Sequence, residues 1–297
     1  MKTSIASLGL ALAMLPGLAG AQEVVAPGDQ ARRAAAGAQA NEPTRYDNAY
    51  EAPPVVVRGQ RGLVEEDQIG AYKQPRWTAR RRFPTTRVYV RPEGQFAFEY
   101  WLRSTVDLEN FSEPTKKYRS IYEWEYGLGN RLQLDLYLTA EQKANGPIEI
   151  AKESIELRYA LADWGEIWGN PTLYFEWGRH NSEGNFVEGK LLFGGELTEG
   201  LHGGLNLVLE RVVDGEQTHE YKITGGISKT LVDTMFSVGA EVEVEFVDNK
   251  DSRFDFIEKK YVAGPSVSWQ PTHHIHILVT PLFGLAQEKG DDGEDES

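Results

Sequence analysis

Cysteine is missing from the whole chain, so no disulfide can hold it together. After Ala21 there is no run of about 18 apolar residues, which excludes a transmembrane helix. Basic side chains are scarce: 31 Lys and Arg stand against 45 Asp and Glu, a net charge of -14. So acidic a chain repels nucleic acid, and no such partner is expected. The nucleophile elbow GxSxG, the P-loop, the zinc-binding HExxH and the dinucleotide fingerprint GxGxxG are all absent. The expectation is therefore of no enzyme, no catalytic residue and no cofactor.

What is present begins with MKTSIASLGLALAMLPGLAGAQE. Lys2 supplies a short positive region, residues 5–18 an apolar one, and Ala19-Gly20-Ala21 a small-x-small cleavage site. This pattern reads as a secretory signal peptide over residues 1–21, with a mature chain from Gln22 that leaves the cytoplasm.

Residues 22–86 show no convincing period and are expected to form a flexible periplasmic segment, rich in Ala, Pro, Gly and polar residues at its start. Its later part carries Arg76, Arg80, Arg81, Arg82 and Arg87 with Trp77 and Phe83 among them. That cluster reads either as a solvated linker or as a segment that packs on, or plugs, the sheet that follows. Residues 287–297, QEKGDDGEDES, read as an acidic disordered tail.

Between these ends the period is two. In NRLQLDLYLTAE, Leu132, Leu134, Leu136 and Leu138 alternate with Gln133, Asp135, Tyr137 and Thr139, which puts all the leucines on one face of a strand. The same alternation predicts eleven strands, near 95–104, 117–128, 131–140, 150–161, 171–179, 186–197, 201–212, 219–230, 235–246, 258–269 and 274–285. Arg87-Val88-Tyr89-Val90 is a candidate for a twelfth. Short turns and longer connections alternate, except at ADWGEIWGN, residues 162–170, which is long where a short turn is due. Pro265 and Pro281 interrupt late strands.

A soluble sandwich or lipocalin-like barrel also alternates in this way, with the apolar face inward. Three features favour lipid as the neighbour of the apolar face. The strands are long: about eleven residues, tilted about 45°, rise roughly 25 Å. Turn and loop lengths are asymmetric between the two ends. Aromatic residues gather near strand ends, among them Trp177, Tyr221, Phe236, Phe246, Tyr261 and Trp269, with Trp164 and Trp168 in the long connection. On this pattern residues 87–286 resemble the small outer-membrane β-barrels of Gram-negative bacteria.

The resemblance implies an all-β fold, an antiparallel up-and-down meander closed into a transmembrane β-barrel of about 12 strands. It implies outer-membrane location, surrounding lipid and insertion by the barrel-assembly machinery. The segment PPVVVRGQ is similar to the start of plug domains in TonB-dependent receptors, but the chain is far too short for their barrel of 22 strands. The phospholipases among outer-membrane barrels use a Ser-His pair at the lipid-facing surface. No histidine here falls on the apolar face.

If the leucines face lipid, the charged face lines the interior. Its candidates are Glu99, Arg103, Arg119, Glu123, Glu125, Asp135, Arg158, Glu176, Glu188, Lys190, Glu210, Glu241, Glu243 and Glu245. Cross-strand ion pairs are expected among them. Two functions follow: a small channel or passive transporter-like, porin-like protein with an acidic, cation-favouring lumen, or a structural envelope barrel with a filled lumen. A soluble periplasmic binding protein is the third reading. Glu241, Glu243 and Glu245 share a face, as do His274 and His276, but neither set supplies enough ligands to assign a metal.

Overall fold

The computed structural model describes residues 5–14, 62–107, 117–143, 146–182, 184–214, 217–250 and 254–289. Residues 15–61, most of the expected flexible segment, and the end of the acidic tail lie outside the described residues.

All eleven predicted strands are present: β1 Phe96–Asp107, β2 Lys117–Gly129, β3 Leu132–Lys143, β4 Ile148–Ala160, β5 Thr172–His180, β6 Gly184–Thr198, β7 Leu201–Val212, β8 Thr218–Val232, β9 Phe236–Asn249, β10 Glu258–Thr272 and β11 Ile275–Lys289. Each pairs antiparallel with the next, giving one curled, meandering sheet. No α-helix occurs among the described residues; two 3-10 turns, Val64–Glu66 and Arg76–Ala79, precede the sheet. The barrel start expected at residue 87 moves to Phe96, and Arg87–Val90 is not a strand.

An odd number of meandering strands leaves the first and last running parallel. Between β1 and β11 lies Ile5–Met14, antiparallel to both, in register from Ile5↔Asp107 to Met14↔Phe98 on one side and from Ala6↔Phe283 to Met14↔Ile275 on the other. With this segment included, the strand order returns to its start.

The period-two pattern decides which face is which. Leu136, Leu157, Phe175, Trp177, Leu207 and Ile223 stand on the convex side and are exposed, whereas Glu99, Glu123, Asp135 and Glu156 on the concave side are almost fully buried. Among the described residues thirty-three large hydrophobic side chains are exposed, while thirty polar or charged residues and only sixteen hydrophobic ones are buried. The polarity is the reverse of a soluble domain's.

Turn length separates the two ends. At one end the connections are tight apart from 162–170, with left-handed backbone at Gly129, Asn130 and Arg131 after β2 and at Gly200 after β6. The other end carries the longer loops. The two late prolines fall at one place: register pairs between β10 and β11 are missing from Ala263↔Phe283 to Val267↔Val279, and Gly264 lies against the Pro281 carbonyl. One interruption absorbs both missing donors.

Candidate functional site

Residues 62–95 run through the concave side of the sheet. The expected flexibility of the N-terminal segment therefore fails over its described part: Trp77 and Phe83 have no exposed surface, and Gln74, Thr86 and Val90 have almost none. A chain crossing an interior must satisfy its backbone groups, and here the sheet's side chains do so. The N–H groups of Val64 and Glu65 donate to Asp233 at 2.7 and 3.1 Å. Those of Thr85 and Thr86 donate to Glu241 at 3.0 and 2.7 Å. The Arg91 N–H donates to Gln133 at 2.6 Å.

Sequence composition makes room for the segment. Gly204 and Gly226 face inward where Phe83 passes; a Cβ on Gly204 would come within 2.9 Å of Thr86, and one on Gly226 would strike the Phe83 ring. The anomalous connection at 162–170 also finds its reason. Trp164 leaves the expected interface position to pack edge-on against Tyr89 and Trp77, at 5.2 and 5.6 Å, and its N–H donates to the Tyr72 carbonyl at 2.9 Å. The long connection packs against the inner segment at Tyr72, Trp77 and Tyr89. Trp168 in the same connection is exposed.

The basic cluster provides the charge. Glu99, Glu123 and Glu125 converge within 4.8 Å of one another, and three arginines meet them. Arg81 pairs with Glu99 at 2.9 Å and Glu123 at 2.8 Å while its guanidinium lies over the Trp101 ring, 4.1 Å from the centroid. Arg87 pairs with Glu123 and, at 3.2 Å, with Glu125; Arg91 pairs with Glu125. Burial alone would lower the Arg87 pKa, but the Glu123 carboxylate keeps it above its ordinary value. Arg80 has less compensation: burial, then the neighbouring Arg82, lowers it to about 9. Glu65, Glu66 and His202 form a second convergent group, but Arg80 and Arg82 already neutralise Glu65.

The remaining wall holds an arrangement that spacing alone does not reveal. Glu125, Asp135, Glu156, Glu176, Glu188, Glu210 and Glu220 stand directly opposite one another across seven consecutive strands, β2 to β8. The expected ion pairing of opposite residues is therefore replaced, along this row, by like charges, which destabilise a sheet unless compensated. Compensation comes from neighbouring rows. Arg158 reaches Asp135 at 2.8 Å and also Glu156; Lys152 reaches Glu176 at 3.0 Å; Lys190 reaches Glu188 at 2.8 Å. His180 lies 3.7 Å from Glu210, and Lys222 pairs with Glu220.

Toward the long-loop end the interior opens into a cavity of about 460 Å³. Arg103 and Arg119, opposite each other in register, line it, and Arg119 pairs with Glu141 at 3.0 Å. Lys260 pairs there with Glu243 and Glu245, at 3.9 and 3.5 Å. Eight cationic side chains and seven carboxylates line the cavity. The acidic excess expected from the strands alone is cancelled, because Arg81 and Arg87 come from outside the strands and Lys152 and Lys260 add to the wall.

Comparison with known proteins gives no match: no family model, no curated protein and no solved structure aligns with the chain. The geometry alone therefore carries the reading.

Each candidate interior residue thus has a place. Glu99, Glu123, Glu125 and Glu241 seat the inner segment; Asp135 and Arg158 support that seat; Arg103, Arg119, Glu176, Glu188, Lys190, Glu210, Glu243 and Glu245 line the cavity. Glu241 is thereby separated in role from Glu243 and Glu245. His274 and His276 do not come together: His276 is buried against Ser268 Oγ at 2.6 Å, and His274 sits in the exposed turn. What the strand pattern missed was the source of the cations. The signal was the Arg cluster with Trp77 and Phe83, too aromatic for a linker in water.

Proposed function

We propose that this chain is an outer-membrane β-barrel, closed by twelve strands and plugged at its short-turn end by its own residues 62–95, and that it is not an enzyme. The observation that carries the reading is the inverted polarity: a leucine- and aromatic-rich convex face around a charged, buried interior. In water, each of those half-exposed side chains forgoes on the order of 1 kcal/mol; in hydrocarbon it does not. Tyr221, Phe246, Phe254, Phe256 and Tyr261 cluster toward the long-loop end, with ring centroids 5.0–6.3 Å apart, where an aromatic belt meets lipid headgroups. The filled lumen favours a resting, non-conducting barrel over an open pore, and the charge-balanced cavity becomes a vestibule facing outward.

Residues 1–21 act as the export leader in this reading, which requires a strand other than Ile5–Met14 between β1 and β11 once the leader is removed. A soluble ligand-carrying barrel is the second reading, and the exposed convex face argues against it. Fractionation tests the choice. The proposal expects extraction only with detergent, heat-modifiable gel migration and no steady current in planar bilayers. Release with the periplasmic fraction would overturn the membrane reading, and a steady wild-type current would overturn the plug.

A further inference from the structure

We propose that residues 62–95 form a displaceable plug, and that the passage they uncover conducts cations; this rests on the membrane-barrel reading above. The first ground is how the plug is attached. The ladder from β1 to β11 includes no residue of it. Among the described residues its backbone bonds to the sheet's strands and connections are few: Trp164 N–H meets the Tyr72 carbonyl, and at its C-terminal end Gly127 exchanges bonds with Gly94 and Gln95. Everything between is held by side chains, and these can be exchanged for water without breaking a strand pair.

The second ground is charge. The plug's arginines supply the cations for Glu99, Glu123 and Glu125; among the described residues the one wall cation that pairs with these acids is Arg158, 3.9 Å from Glu123 and 4.0 Å from Glu125. Withdrawal of the plug changes a balanced interior into an acidic one. Glu99, Glu123 and Glu125 then lose their guanidinium partners at the plug's level, at the head of an acid row that continues strand by strand to Glu220 and whose later members keep their own wall cations, Arg158, Lys152, Lys190 and Lys222. The third ground is fit. The seat takes cations already, in the form of three guanidinium groups, and the inward glycines leave a cleared track where Phe83 now lies.

The experiment is planar-bilayer recording of the full chain in a potassium chloride gradient, comparing wild type with two variants. Arg81→Gln/Arg87→Gln/Arg91→Gln removes the plug's charge, and Gly226→Leu displaces Phe83 by volume with no change of charge. The expected result is loss of the closed state in both variants, with the reversal potential shifted toward that of potassium. Variants that run as folded, heat-modifiable barrels yet pass no current would overturn the displaceable plug. Current without cation preference would overturn the acidic path. If the triple variant does not fold, Gly226→Leu decides alone. Failure of the membrane reading has a separate signature, since no variant would then be recovered with the membrane.

Discussion

Arg87 and Asn206 exchange two hydrogen bonds. The Arg87 N–H donates to Asn206 Oδ1 at 2.7 Å, and Asn206 Nδ2 donates back to the Arg87 carbonyl at 2.7 Å. One side-chain amide thus satisfies the backbone of a chain crossing the interior as a neighbouring strand would. The same Arg87 reaches Glu123 and Glu125 of β2 with its guanidinium, while Asn206 belongs to β7. A single residue ties two distant parts of the wall together.

The ranking of its two attachments can be measured. Arg87→Gln leaves Glu123 and Glu125 short of a buried partner and should cost about 3–5 kcal/mol. Asn206→Ala leaves one buried N–H and one carbonyl unbonded and should cost about 1–3 kcal/mol. The midpoint of thermal or urea unfolding, followed by gel migration, should fall further for Arg87→Gln; the reverse order would show that the backbone bonds dominate the seat.

The convex face offers a sharper discrimination. Leu136→Arg places a charge mid-strand on a side chain that is 46% exposed. In hydrocarbon this should cost about 2–4 kcal/mol, whereas on a water-facing surface it should fall within about 0.5 kcal/mol. Equilibrium unfolding in lipid or detergent reads the difference, and a neutral result would place water, not lipid, against the leucines.

Burial of the plug predicts protease resistance. Arg82 and Arg87 are nearly inaccessible, so trypsin should leave the bonds after them intact in the folded protein and cut them after heating. Peptide mass mapping before and after heating reports this directly. Rapid cleavage at Arg87 in the folded state would return the segment to a solvated linker.

The N-terminus has two exclusive uses. A cleaved leader and a strand at Ile5–Met14 cannot coexist in one mature chain. N-terminal sequencing of the membrane-extracted protein should begin at Gln22, in which case another strand fills the place between β1 and β11. A chain that still carries Ile5–Met14 would show instead that this segment is the twelfth strand.

The strands and their two faces were readable because a strand's side chains alternate with a fixed period of two, so a local pattern determines which residues share a face. All eleven strands followed from it, and Glu123, Asp135 and Glu176 of their polar faces are buried. The seat at Glu99, Glu123 and Glu125 was only half readable. Its acids lie on strands, but its cations come from a stretch with no period, where alternation says nothing about position.

By itself, then, the sequence determined the elements, their order and which of their faces is greasy, since each depends on neighbours within one ribbon. Only the tertiary structure decided what fills the interior and which charges meet. Those depend on register between strands and on where residues 62–95 pass, and register is set by the packing of the whole sheet. Seven acids in one row, spread over β2 to β8, are scattered in sequence and adjacent only once the strands are laid side by side.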